Sequence, residues 1–386
     1  MKWSWKIARV AGIDIYLHAT FILLIAWITL SQLLHGQSLR EASATLLFLM
    51  TVFAIVVLHE LGHALTAARF GIRTRDIILL PMGGVARLDR IPENPRQELA
   101  IAIAGPLVNV FLAAVLFLAI LLLGGVSELS RFQFGPRNFV SNLFWVNVSL
   151  ALFNMLPAFP MDGGRVLRAL LASRMDYLRA TQIAARFGQA MAWIFGLLGL
   201  FGNPILLFVG IFVWIGADAE AAMARIKSVL TQVPIRQLMT TDFRTLKPSD
   251  PLSLAVQESL SFDQSDFPVI EEGAPVGVLT RSDLLLALGR VGNSAPVADA
   301  MTRRFPIAST SDSAELLLQR MTEENSPLAV VLQDHRIAGI LPVANLLNFV
   351  QFKAAAARFA NRKTPANPFA PGSRTWAEKH SFALRS

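Results

Sequence analysis

Residues 99–123 contain no charged side chain. A spanning helix takes about 20 mostly apolar residues, so this stretch is long enough to cross a bilayer. Five more segments read the same way. Residues 15–34 carry His18 near their start, and residues 44–68 are apolar apart from His59, Glu60 and His63. Residues 139–156 form a fourth. Residues 187–201 and 204–223 form a fifth and sixth, and the Gly202-Asn203-Pro204 turn between them permits only a helical hairpin. The fifth is short, and Asp218 and Glu220 sit near the end of the sixth. In lipid every backbone polar group must be satisfied within the fold. The expectation is a polytopic α-helical membrane protein of about six transmembrane helices.

Composition agrees. The chain is 54% hydrophobic and 16% charged, against roughly 25% charged for a soluble domain. That excludes disorder and a purely water-soluble globule. The net charge of +8 would invite a nucleic-acid partner if it lay in one basic face. It does not. Residues 1–230 hold 19 Lys and Arg against 12 Asp and Glu, residues 231–350 hold 9 against 14, and residues 351–386 hold 7 against 1. No nucleic-acid partner is expected. Six spans put both termini on one side of the membrane. The loops on that side hold thirteen Lys and Arg, among them Arg90 and Arg168, and the other side holds three, Arg40, Arg131 and Arg137. Positive loops stay cytoplasmic. The chain is therefore expected in the cell membrane with both termini in the cytoplasm. No small-residue cleavage site follows the first apolar stretch, so a cleaved signal peptide is not expected.

His59-Glu60-Leu61-Gly62-His63 is the sharpest local feature. On a helix, residues four apart lie on one face. Two imidazoles so placed can share a zinc ion, with the intervening carboxylate set to activate water. Ionisable groups inside a span are costly and mark function by default. The chain has no cysteine, so disulfides, thiol nucleophiles and Cys-ligated metals are excluded. A catalytic zinc takes three protein ligands and keeps one open position. Candidates for the third are His18, Glu98, Asp162 and a few loop acids. Asp162 stands in Asn154-Met-Leu-Pro157-Ala-Phe-Pro-Met-Asp162-Gly163-Gly164. Prolines there end a helix, and paired glycines let the backbone turn closely about the carboxylate. A carboxylate there is a natural third ligand, and the alternative is that Asp162 caps a helix beginning near Val166.

These motifs together strongly resemble the site-2 proteases, the intramembrane zinc metalloproteases. Pro81-Met82-Gly83-Gly84 and Ala104-Gly105-Pro106-Leu107-Val108-Asn109 add to the resemblance, which covers about residues 10–222. It implies zinc held by His59, His63 and Asp162, with Glu60 as general base. It implies that Asn154 and Pro157 contact substrate. Gly83 and Gly84 would offer a strand edge to an unwound substrate, whose freed backbone groups such an edge can satisfy. The implied substrates are single-span membrane proteins such as membrane-bound regulators or anti-sigma factors.

Downstream lies an internal repeat at an offset of 62 residues. Pro234-Ile-Arg-Gln-Leu-Met239-Thr240 aligns with Pro296-Val-Ala-Asp-Ala-Met301-Thr302, and Gly277 falls on Gly339 without a gap. Short β-rich runs alternate with helical patterns, as in a small α/β domain. The repeat resembles a pair of CBS motifs, with units at about 233–290 and 295–350. That resemblance implies an adenine nucleotide (ATP, ADP or AMP), and Thr280-Arg-Ser-Asp283 matches its ribose-binding pattern. The second unit has Pro342-Val-Ala-Asn345 instead, so at most one typical nucleotide site is expected. A homodimerising or rigid coupling module without ligand is the competing reading. The expected organisation is a membrane metalloprotease domain over 1–225, a cytosolic α/β CBS pair over 231–350, and a basic disordered tail over 351–386, suited to anionic lipid. A transporter with a regulatory CBS pair would share the spans and the repeat. No transport mechanism needs His59-Glu60-x-x-His63.

Overall fold

The computed structural model describes residues 3–81, 83–89, 92, 94–123, 138–231, 233–262, 264–334 and 336–362. Lys2, Met82, Arg90, Arg131, Arg137 and the tail beyond 362 lie outside them. The chain divides into two compact units, Met1–Ala224 and Arg225–Ser386.

The first unit opens with β1 (Ser4–Val10) and β2 (Ile13–His18), then α1 (Ala19–Leu34) and α2 (Leu39–Arg69). The first apolar segment was expected to be helical from residue 15. Instead residues 15–18 belong to β2. Ile13 and Ile15 are buried at a spacing of two, the period of a strand, and an apolar window does not separate that from a helix. His18 then caps α1, its Nδ1 accepting from the Thr20 amide at 3.3 Å. α1 has 16 residues, about 24 Å at 1.5 Å per residue. α2 starts on a capping box in which Ser38 and Glu41 satisfy each other's amides, and it runs 31 residues without a break.

After α2 come β3 (Thr74–Leu80) and β4 (Gly83–Leu88). The four strands form one sheet in the order β1-β2-β3-β4, with β2 and β3 parallel and the outer pairs antiparallel. A parallel pair needs a long crossover, and here α1 and α2 supply it. β4 is an edge strand.

α3 (Pro95–Leu122) is capped by Asn94, with Pro95 at its first position. α4 (Phe139–Asn154) stops two residues short of the expected end, because Pro157 disfavours helix in the residue before it. α5 (Asp162–Ala172) lies in the expected connection between the fourth and fifth spans, and it starts four residues before the helix weighed there, near Val166. It is a helix with Arg168 buried inside the fold, so Arg168 is not a loop charge. α6 (Tyr177–Phe201) starts ten residues before the expected fifth span, capped by Asp176. Its first turns carry Arg179 and Arg186 and so fell outside an apolar window. α7 (Pro204–Leu230) follows. The α6–α7 hairpin is tight: a Cβ on Gly199 would meet the Leu207 nitrogen at 2.5 Å.

Four of these helices, α2, α3, α6 and α7, are long and apolar enough to cross a membrane, and α1 and α4 are shorter apolar helices. Their outer surfaces are apolar too. Trp27, Phe201 and Phe208 are 68%, 89% and 70% exposed. Large exposed apolar surface of this kind suits lipid rather than water.

In the second unit the duplication is plain. The first repeat holds a 3₁₀ turn (Ile235–Gln237), α8 (Leu252–Phe262), β5 (Phe267–Glu271), β6 (Ala274–Leu279) and α9 (Arg281–Val291). The second holds a 3₁₀ turn (Val297–Asp299), β7 (Ile307–Ser309), α10 (Ala314–Glu323), β8 (Leu328–Gln333), β9 (Arg336–Pro342) and α11 (Val343–Arg362). Each repeat's leading segment packs on the other repeat. Thr240 bridges to Ile340, and its counterpart Thr302 bridges to Val278. Ile235 and Leu238 join the core of Leu317, Val331 and Leu341, while Val297 and Met301 join the core of Leu252, Phe267 and Leu279. Each fully buried aliphatic contributes about 1.5–3 kcal/mol, so the exchange ties the halves together. Gly277 and Gly339 make room for it, since a Cβ there would press on Met301 and Met239. The disordered tail was expected from residue 351. α11 continues to Arg362, because Lys353-Ala-Ala-Ala-Ala-Arg358 consists of strong helix formers.

Candidate metal centre

α2 carries His59 and His63 one turn apart, both buried. α5 begins at Asp162, whose carboxylate is also buried. The Nε2 atoms of His59 and His63 lie 3.1 Å apart, and each lies 3.1 Å from Asp162 Oδ2. The cap position of α5 is held by Met161, so Asp162 is the first residue of the helix and not its cap. Its side chain turns to the histidines instead.

The loop between α4 and α5 makes this placement possible. A Cβ on Gly163 would meet the Leu156 carbonyl oxygen at 2.3 Å and that of Met155 at 2.4 Å. A Cβ on Gly164 would meet the Phe159 nitrogen at 2.6 Å. The paired glycines therefore let the start of α5 tuck beneath the loop, which delivers the carboxylate to α2.

One face of α3 backs the whole site. The His63 Nδ1–H donates to the Ile101 carbonyl at 2.6 Å. His59 Nδ1 lies 2.5 Å from Asn109 Oδ1. Between them, a Cβ on Gly105 would lie 2.2 Å from His63 Nε2 and 2.6 Å from His59 Nε2. Glu98, a turn earlier on α3, was a candidate ligand. It pairs instead with Arg168 of α5 at 2.5 Å. Arg168 also donates to Glu220 of α7 at 2.9 Å and lies against the rings of Phe159 and Tyr177. This buried cluster fastens α5, and with it Asp162, to α3 and α7. His18, the other candidate, is occupied as the cap of α1.

The donor set fits a zinc ion. With their Nδ1 protons given to carbonyl oxygens, both imidazoles turn a lone pair inward, against a carboxylate oxygen. Three such atoms repel unless a cation lies among them. Their 3.1 Å spacing is close to the roughly 3.3 Å edge of a tetrahedron with bonds near 2.0 Å. Among the described residues these three are the one group of His, Asp and Glu able to hold a metal in this way.

Glu60 reaches the other way, towards the sheet. Its Oε2 accepts the Ala86 amide of β4 at 3.1 Å. Gly84 admits this close approach, since a Cβ there would meet Glu60 Cγ at 2.7 Å. Gly83 has φ of +138°, a backbone region that favours glycine. Asn154 ends α4 half-buried and Pro157 is exposed in the loop beyond. In the CBS pair, Thr280 caps α9. Its hydroxyl donates to Asp283 Oδ2 at 2.8 Å, as does that of Thr302 at 3.3 Å. In the second repeat Asn345 donates to the Leu238 carbonyl and to Thr240 Oγ1. Sequence reasoning missed the back of the site: Ile101, Asn147 and Arg168. A buried Arg in an apolar fold is a signal in itself, but Arg168 stood in what read as a polar loop.

Comparison with known proteins gives the family. The profile of peptidase family M50 matches residues 47–142 and 129–195, and that of the CBS domain matches 235–290 and 297–351. The zinc metalloprotease MJ0392 of Methanocaldococcus jannaschii is 33% identical over 350 residues, which is 90% of this chain and 96% of that protein. The putative zinc metalloprotease Rip3 of Mycobacterium tuberculosis is 27% identical over 405 residues, 96% of this chain and 99% of its own. The solved site-2 protease from Methanocaldococcus jannaschii is 38% identical and covers 57% of this chain and 95% of its own, with a TM-score of 0.42. The chain belongs to peptidase family M50, the site-2 proteases, and carries a CBS pair after the peptidase domain. It is thus a zinc metalloprotease of a membrane-embedded family that acts on membrane-protein substrates.

Proposed function

We propose that this chain hydrolyses peptide bonds in or near the transmembrane segments of single-span membrane proteins, such as membrane-bound regulators. The supporting observation is the buried triangle of His59, His63 and Asp162, 3.1 Å on each side. These three residues would hold zinc, which when bound makes water a nucleophile at neutral pH and polarises the scissile carbonyl. Glu60 takes the proton of the attacking water and gives it to the leaving amine. The Ala86 amide orients its carboxylate. The substrate must arrive unwound, because a helical peptide bond is hidden and hydrogen-bonded. β4 lies at the edge of its sheet beside Glu60. An extended substrate adds along this edge at Gly83 and Gly84, with Asn154 and Pro157 contacting it near the scissile bond. The six apolar helices cross the membrane with both termini and the CBS pair in the cytoplasm. The test is trapping. Glu60→Gln should keep zinc, lose cleavage and co-purify with uncut substrate. Cleavage of a co-expressed single-span protein by Glu60→Gln would overturn the assignment.

The CBS pair supports two uses. An adenine nucleotide at Thr280 and Asp283 would place its ribose hydroxyls on a carboxylate that already accepts from two hydroxyls. The same bonds serve as a cap and cross-repeat tie, which suits a dimerising module. Calorimetry with ATP, ADP and AMP on the full chain separates them. Heat that Asp283→Ala abolishes supports the nucleotide, and no heat supports the module.

A further inference from the structure

His59 stands at the head of a chain of hydrogen bonds that crosses three helices. Its Nδ1 lies 2.5 Å from Asn109 Oδ1 on α3. Asn109 Nδ2 donates to Asn147 Oδ1 on α4 at 3.0 Å, and Asn147 Nδ2 donates to the Leu143 carbonyl at 2.9 Å. Both asparagines are 0% exposed.

A side-chain amide can sit either way round, and a neutral imidazole has two tautomers. The last partner removes the choice. Leu143 offers a backbone carbonyl, which only accepts. Asn147 must therefore point its NH₂ at Leu143 and its carbonyl at Asn109. Asn109 must then point its NH₂ at Asn147 and its carbonyl at His59. His59 must donate from Nδ1, which leaves the Nε2 lone pair facing Asp162. Turning any member round would set two acceptors together in a buried site. A carboxylate beside His59 would fix the same tautomer, but it would bring a charge into a span, where charge is costly. Two neutral amides do the work without one.

We propose that Asn147 is a positioning residue for the metal centre. Acting through Asn109, it holds His59 with its proton on Nδ1 and its Nε2 lone pair aimed inward. This rests on the reading of His59 as a zinc ligand. His63 needs no such relay, because it donates directly to the Ile101 carbonyl.

The test measures zinc affinity of the full chain in detergent micelles by chelator competition, with Tm recorded alongside. Asn147→Leu should raise the zinc Kd about tenfold, the lower end for loss of an outer-shell partner. It should add nothing further to Asn109→Leu. Val146→Ala, a packing change beside it on α4, should leave the Kd within about twofold of wild type. Asn147→Asp should lower Tm, because its carboxylate faces the Leu143 carbonyl, yet keep zinc, because it still accepts from Asn109. If Asn147→Leu does not fold, Asn147→Asp against Val146→Ala decides. Three results overturn the relay: a wild-type Kd in Asn147→Leu, an equal loss in Val146→Ala, or zinc lost in step with Tm in Asn147→Asp. A wild-type chain that takes up no zinc sinks the site reading and the relay together. Zinc binding in the wild type with no change in Asn147→Leu sinks the relay alone.

Discussion

At the scale of single residues, the site depends on what is missing as much as on what is present. Gly105 leaves open the space where both histidine Nε2 atoms point. In Gly105→Ala the new methyl would lie 2.2 Å from His63 Nε2, so it should occupy the metal's place. The variant should purify with less than about a tenth of the wild-type zinc, read by elemental analysis, and cleavage should fall at least about a hundredfold. Arg168 shows the opposite case, a residue present where a charge is costly. It holds Glu98 and Glu220 together in the membrane unit. Removing one partner of a buried pair strands the other, at about 3–5 kcal/mol. Arg168→Met should therefore lose stability of that order in micelles, by chemical or thermal unfolding, and Glu98→Gln in the same chain should recover part of it. The His59, Glu60 and His63 pattern was legible because one helical turn sets the chemistry. Asp162 stood out by its glycines, but the choice between ligand and helix cap came from the family resemblance and not from the spacing. Asn109 was legible as a residue that packs or hydrogen-bonds helix to helix, but its partner Asn147 was not, because the spacing between residues of different helices carries no periodic signal and their bond forms only after packing.

At the scale of elements, the apolar windows located the helices and misplaced some of their ends. Residues 15–18 joined the first window because a strand buried against the membrane unit is as apolar as a span. α5 escaped because it is amphipathic, with Arg165 and Arg168 among its residues. The sheet was visible only at Gly83 and Gly84. Yet the sheet positions Glu60: β4 passes so close to α2 that Gly84 faces Glu60 Cγ and Val56 Cγ1, where a Cβ would lie at 2.7 and 3.2 Å. Gly84→Val should push β4 away from α2. Zinc content should stay at wild type while kcat/KM on a membrane substrate drops about tenfold or more, the loss of transition-state positioning that a small misplacement produces. Lost zinc in Gly84→Val would show instead that the strand supports the metal ligands and not the base.

At the scale of the whole molecule, the duplicated unit was the most legible part, since an ungapped offset of 62 residues from Met239 to Met301 carries each element of the first repeat onto one of the second, and only the short strand β7 lacks a counterpart, Leu246 making a single bridge there. What the repeat did not reveal was the exchange of leading segments, which is a matter of packing. The topology is directly testable because the chain contains no cysteine. Single cysteines at Arg179 and at Asn203 should label from opposite faces of the membrane, with Arg179 reached only from the cytoplasmic side. Labelling of both from one side would contradict the six-span reading. The central claim is that His59, His63 and Asp162 hold a zinc ion and Glu60 moves the proton. It is tested most directly by measuring zinc stoichiometry and cleavage of one single-span substrate on the same purified samples of wild type, Glu60→Gln and Asp162→Asn. The account predicts about one zinc and cleavage in wild type, about one zinc and no cleavage in Glu60→Gln, and neither in Asp162→Asn. Cleavage by Glu60→Gln, or full zinc in Asp162→Asn, would contradict it.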